Sequence, residues 1–210
     1  MRIAITNWTP RMAGGVERYL AGLVPRLRER GAEIAFLFEN DEAEGSRARV
    51  AGKGVEWHGP LKHRGEVATF LGSWKPELIY AHGFRRATLD REAAGAKTVW
   101  FLHQYTGACV DGAKTHRWPV IEPCSRPFGP GCLVQYFPRR CGGLNPLTLW
   151  RLYREQRYRQ ETLRRARVLL THSAHLEREY SRYGLGVPIR RVPFPAGPEA
   201  KVQGRGDRDY

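Results

Sequence analysis

The chain has 210 residues, 41% of them hydrophobic, which is enough for one α/β domain with a large core and makes a single domain the default. No run approaches the roughly 20 apolar residues that span a bilayer, and the opening "MRIAITNW" lacks the charged and apolar regions of a signal peptide, so the sequence reads as cytoplasmic. A formal charge of +14 favours an anionic partner: nucleic acid, an acidic membrane surface or a phosphorylated small molecule.

The first element is a strand, and after "NWTPRMA" the pair Gly14 and Gly15 opens a helix. In that helix Val16, Tyr19, Leu20, Leu23, Val24 and Leu27 fall on one face, which packs it against the sheet. A glycine turn at a helix amino end leaves backbone N–H groups open to an anion, although two glycines also serve simply to turn a chain. "GAEIAFLFEN" and "GVEWHG" read as the next strands, "RGEVATFLGSW" as a helix, "KPELIYAHG" as a strand, "RRATLDREAAGA" as a helix and "KTVWFLHQY" as a strand. This alternation predicts a doubly wound parallel sheet, Rossmann-like, with helices on both faces.

From Thr106 to Asn145 the rhythm lapses into a segment rich in Gly, Pro and Cys, too long for an ordinary connection and so read as a functional insertion. It holds all four cysteines, Cys109, Cys124, Cys132 and Cys141, spaced C-x14-C-x7-C-x8-C. That spacing excludes a compact zinc knuckle and leaves two readings, a looser four-thiolate structural zinc site or unpaired, partly buried thiols.

The pattern then resumes. "PLTLWRLYREQRYRQETLRRA" reads as a helix with Pro146 in its first turn and a core stripe of Leu149, Leu152, Tyr153 and Leu163. Arg151, Arg154, Arg157, Arg159, Arg164 and Arg165 supply its polar faces, with Glu155 and Glu161 forming local pairs. Because the arginines surround the helix, a solvated surface is favoured over docking to anionic lipid. "RVLLTHS" is a strand, "AHLEREYSRYG" a helix ended by Gly184, "IRRVPF" a last strand, and residues 197–210 a disordered tail or truncated linker after a domain at 1–196.

Four polar clusters follow strands: the glycine turn, "AHGFRR" with His82, Arg85 and Arg86, "LHQY" with His103 and Tyr105, and "THS" with Thr171 and Ser173. In a doubly wound sheet these loops share the carboxyl edge, where ligands bind. Each residue also has a structural reading: a strand-end histidine satisfied by backbone, a core histidine, or an N-cap at Thr171 or Ser173.

These stretches, "MRIAITNWTPRMAGGVERYLAGLVPRLRERGAEIAFLFE", "KPELIYAHG", "TVWFLHQY" and "RVLLTHSAHLEREYSRYG", resemble the amino-terminal, acceptor-side half of a retaining GT-B glycosyltransferase of family 4. The resemblance implies a nucleotide-sugar donor whose diphosphate lies against Gly14 and Gly15, with His103 beside the transferred sugar as the catalytic residue. It implies an acceptor pocket, for a glycan or lipid-linked acceptor, at His82, Arg85, Arg86 and Tyr105, and an interdomain cleft near Thr171 and Ser173. It also implies an insertion of cysteines after the histidine strand, no cofactor for the chemistry, and peripheral contact with the anionic inner face of the membrane. The family's second Rossmann-like domain, with its E-x7-E motif and the basic residues that neutralise the leaving diphosphate, has no counterpart here, so a partner domain in trans is expected.

Two other readings compete. Glu39 ends the second strand where a ribose-binding acid would sit in an NAD(P) domain, but "GGVER" is not G-x-G-x-x-G and the turn before it is too long. A basic nucleic-acid-binding module fits the charge, yet no recognised motif supports it and no nucleic acid is expected as partner.

Overall fold

Two strands, β1 (Arg2–Asn7) and β2 (Glu33–Phe38), are buried at every residue after the first because both of their faces are covered. The computed structural model describes residues 1–41, 48–52 and 54–193. Between those strands runs α1 (Gly15–Glu29). The chain continues through β3 (Val55–His58), α2 (Glu66–Trp74), β4 (Leu78–Ala81), α3 (Ala87–Ala93) and β5 (Thr98–Leu102). After β6 (Thr115–His116), β7 (Glu122–Pro123) and α4 (Gly131–Gln135) come α5 (Pro146–Leu163), β8 (Val168–Thr171), α6 (Ala174–Ser181) and β9 (Ile189–Arg191).

Seven strands form one sheet in the order β3-β2-β1-β4-β5-β8-β9, parallel at every pairing. The expected doubly wound α/β fold is the fold found. On one face Ile3 and Ile5 pack with Ile34, Phe36, Tyr80 and Phe101 under Leu20 and Val24 of α1. The other face buries Ala4, Ala35, Leu37 and Ile79 against Val67 and Phe70 of α2 and Leu89 of α3. Burying Leu20 or Val24 contributes about 1.5–3 kcal/mol each by removing apolar surface from water. A third cluster joins Trp100, Leu102 and Leu169 to Leu163, Leu176 and Tyr180, seating α5 and α6 at the far end of the sheet.

Strand order reverses between β1 and β4, and this switch point leaves a crevice at the carboxyl ends of the strands. Helix caps follow local chemistry. Asn145 accepts N–H bonds from Leu147 at 2.9 Å and Thr148 at 3.3 Å ahead of α5, and Ser173 caps α6 by accepting from His175 N at 3.1 Å.

The insertion is a small folded unit with a core of its own. β6 and β7 pair antiparallel, and Val110, Phe128 and Tyr136 bury themselves against Leu149 and Tyr153 of α5. Gly107, at φ +72°, lets the chain pass so close to α5 that an added Cβ would lie 2.9 Å from Gln160 N. A buried ion pair, Lys114 Nζ to Glu179 Oε1 at 2.7 Å, ties the unit to α6, with Tyr183 Oη donating to the same carboxylate at 2.5 Å. Burial alone would raise the Glu179 pKa, but Lys114 and Tyr183 hold it below the usual carboxylate value. Lys114 Nζ also donates to the Arg126 carbonyl. The tail expected over 197–210 lies outside the described residues.

Candidate functional site

The ends of β1, β4 and β5 meet at the switch point, and side chains from all three open into one cavity of about 490 Å³. That volume is ligand-sized. Asn7 and Trp8 come from β1 and its exit, His82 to Arg85 from the loop after β4, and His103 to Thr106 from the loop after β5. Glu155, Gln156 and Arg159 of α5, with Asp111 of the insertion, form the remaining wall.

On the cavity floor His82 Nδ1 and His103 Nε2 are 2.7 Å apart, so one proton lies between the two rings. Aromatic side chains enclose them. Phe101 stacks on both imidazoles at 6.0 and 4.5 Å, Tyr80 meets His82 edge-on at 4.5 Å, and Tyr19 contacts both rings and shares a 2.6 Å hydrogen bond with Tyr80. Desolvation, followed by the neighbouring His103, holds the His82 pKa well below 6.5. For His103, burial and then His172 push it down to about 4. Both rings are therefore neutral near pH 7.

The tautomer follows from what the buried nitrogens can tolerate. His82 Nε2 is buried with no hydrogen-bond partner, and an orphaned N–H there would cost more than an orphaned lone pair. We therefore assign the shared proton to His82 Nδ1, which donates to His103 Nε2.

Above the pair, the Arg85 guanidinium lies over the Trp8 ring at 4.1 Å and has no ion-pair partner among the described residues. The opposite wall is braced by Arg159, only 8% exposed. It donates to the Phe84 carbonyl at 3.1 Å, to the Arg85 carbonyl, to Asp90 and to Glu155 at 2.8 Å. Burial pushes the Asp90 pKa up to about 7 against the pull of Arg159, and its other oxygen accepts from Phe84 N at 2.7 Å. The loop carrying His82 and Arg85 is thus clamped to α5.

Of the expected site residues, His82, Arg85, His103 and Tyr105 share this cavity. Tyr105 also hydrogen-bonds His175 Nε2 at 3.0 Å. Arg86 does not line it: Glu39 accepts from Arg86 Nε at 2.8 Å, and the rest of the guanidinium bonds the Leu61 and Lys62 carbonyls. Glu39 also accepts from the Arg85 and Arg86 N–H groups, so the carboxylate weighed as a ribose-binding acid is already engaged.

Gly14 and Gly15 lie beside the cavity, which Val16 reaches. A Cβ on Gly15 would meet nothing within 4 Å, whereas one on Gly14 would lie 3.3 Å from Glu17 Oε2. Buried Glu17 accepts from Asn7 Nδ2 at 2.8 Å, which puts a carboxylate beside Gly14 and leaves the open side at Gly15. Thr171 is buried in the sheet and accepts from Ser173 N at 3.3 Å, while Ser173 caps α6; neither lines the cavity.

The four cysteines are reduced and half-buried, with Cys132 and Cys141 packed on the Val110 cluster. Burial raises both of those thiols above 9. Among the described residues no three or more His, Cys, Asp or Glu are grouped to hold a metal ion.

Sequence reasoning missed Asn7, Trp8, Glu17, Glu155, Gln156 and Arg159. Asn7 and Trp8 end the first strand, and the strand-end rule applied to the other loops would have found them. Arg159 was read as part of a solvated face, and the structure corrects this: it is the one arginine of α5 that points into the core. No family model matches the chain, and no curated protein is significantly similar to it.

Proposed function

We propose that the cavity binds sugar, and that the chain is the acceptor-side half of a glycosyltransferase working with a nucleotide-sugar donor and a glycan or lipid-linked acceptor. The observation that carries this reading is the neutral His82–His103 pair on the floor of a polar cavity at the strand switch point, beneath Arg85, which has no ion-pair partner among the described residues. A neutral imidazole serves a sugar hydroxyl as hydrogen-bond donor or acceptor without the cost of burying charge. Trp8 and Tyr105 offer faces against which a sugar ring packs, and Arg85 offers a cation for a phosphate oxygen.

The donor diphosphate would approach the open backbone at Gly15, away from the Glu17 carboxylate. One cation and one helix end give only part of the stabilisation a departing diphosphate requires, so the transfer step is assigned to this domain together with a second, donor-binding domain. His103, beside the bound sugar, holds and orients it. The engagement of Glu39 by Arg85 and Arg86 weighs against a dinucleotide.

Calorimetric titration with UDP- and GDP-sugars tests the reading. Wild-type protein should bind at least one of them, and Gly15→Trp, which fills the open side of the turn, should weaken it about tenfold or more. Equal binding by both proteins removes the turn from the site, and no binding by either sinks the donor role.

A further inference from the structure

One face of α5 stands uncovered among the described residues. Leu147 and Trp150, near the start of the helix, are 78 and 53% exposed, and with Tyr158 two turns further on they open on a groove of about 780 Å³ between α5, the start of α3 and Arg64. Buried Ala87 and half-buried Tyr158 make its apolar base. The strip that α5 contributes runs from Leu147 to Glu161, about 20 Å of helix. No helix among the described residues is long and apolar enough to cross a membrane, so these are not the side chains of a span.

Positive charge surrounds the strip. Arg64, Arg151, Arg154 and Arg157 line the groove, all four exposed and none with an ion-pair partner among the described residues. A fifth guanidinium, that of Arg91 on α3, lies over the Tyr158 ring at 5.5 Å, with its Nη1 buried and without a hydrogen-bond partner. Two acids share the groove. Glu155 is bound by Arg159 at 2.8 Å, and Glu161 lies at the end away from Leu147. An anion entering near Arg151 and Arg154 therefore meets charge that no carboxylate of the fold has neutralised.

Shape and sign together select the partner. A trough walled by two helices takes a third, which lays apolar side chains three and four residues apart along the strip. Trp, Tyr and Arg carry most of the binding energy at contacts between proteins, and they make up more than half of this lining. A second copy of the chain, at +14, would be repelled, and a nucleic-acid strand would meet the arginines while leaving Leu147 uncovered. We propose that the groove seats an acidic amphipathic helix of a partner protein, whose apolar face covers Leu147, Trp150 and Tyr158 while its carboxylates meet the arginines. The groove shares only Glu155 with the cavity at the strand switch point, so the inference goes beyond sugar binding and does not depend on it.

Fluorescence anisotropy on the whole chain tests it, with a labelled synthetic peptide of about 15 residues whose leucines recur at helical spacing on one face and whose glutamates fill the other. Wild type should bind this peptide at micromolar concentration, about tenfold more tightly than a scrambled peptide of the same composition or an oligothymidylate of equal charge, and should not bind the version with lysine in place of glutamate. Leu147→Ser with Trp150→Ser should weaken peptide binding about tenfold. Arg151→Gln with Arg154→Gln, which leaves every apolar contact in place, should weaken binding and its salt dependence together while the melting temperature stays that of wild type. Absence of binding by wild type, or equal binding of the patterned and scrambled peptides, overturns the proposal. A preference for oligothymidylate overturns it too and would hand the groove to nucleic acid, and undiminished binding by the arginine variant overturns it by placing the peptide elsewhere.

Discussion

His82 and His103 illustrate how a single contact sets chemistry. Across 2.7 Å they share a proton inside an aromatic enclosure, and burial keeps both uncharged. With a pKa near 4, His103 is a weak base at neutral pH but an effective hydrogen-bonding group, which suits positioning a hydroxyl better than shuttling a proton. His103→Gln preserves a neutral donor and acceptor, so sugar-nucleotide affinity should stay within about threefold of wild type, whereas His103→Leu should lose tenfold or more. Titration calorimetry at pH 8 and pH 6 checks both the ranking and a second consequence, that wild-type affinity hardly changes over that interval. A steep pH dependence there would mean that the pair ionises.

At the scale of elements, α5 is the brace of the site. Its N-terminal half supports the insertion through Leu149 and Tyr153, and Arg159 reaches past α3 to hold the carbonyls of Phe84 and Arg85. Replacing Arg159 by Met should cost about 3–5 kcal/mol, because Asp90 is left buried without its partner. Urea unfolding measures this, and the double change Arg159→Met with Asp90→Asn should be less destabilised than Arg159→Met alone. Lys114 and Glu179 play the matching part for the insertion, joining it to α6 through a buried ion pair.

For the molecule as a whole, the buried histidines couple the site to stability. Their folded pKa values lie below 6.5, so as pH falls the unfolded chain takes up protons that the folded chain resists. The histidines' contribution is therefore full above about pH 6.5 and declines as pH drops toward 4, by at most about 1.4 kcal/mol per pH unit for each, while Asp90, pushed up to about 7 by burial, works in the opposite direction over the same interval and offsets one of the two. Glu179, held below its usual value, adds a loss in the same direction at lower pH. Chemical unfolding at pH 7.5 and 5.0 should show the decline, and His103→Gln should flatten part of it. A curve unaffected by that substitution would assign the acid sensitivity elsewhere.

Periodicity and punctuation alone determined the strands of the parallel sheet, the helices between them and their alternation, but not β6, β7 and α4 of the insertion, because a parallel sheet covered on both faces requires apolar strands and one-sided helices whatever ligand it serves. That His82, Arg85, His103 and Tyr105 share one cavity was legible for the same reason: strand-end loops share one edge. Only the tertiary structure decided which neighbours each polar group has. Glu39 engages Arg86, Ser173 caps α6, Arg159 turns inward, and the insertion folds around Val110 and Phe128 while leaving Trp118 and Ile121 outside. Apart from the Ser173 cap, those outcomes depend on contacts between residues tens of positions apart, where burial fixes the energy of a charge or a ring, and local periodicity does not record which polar side chains are buried or against what.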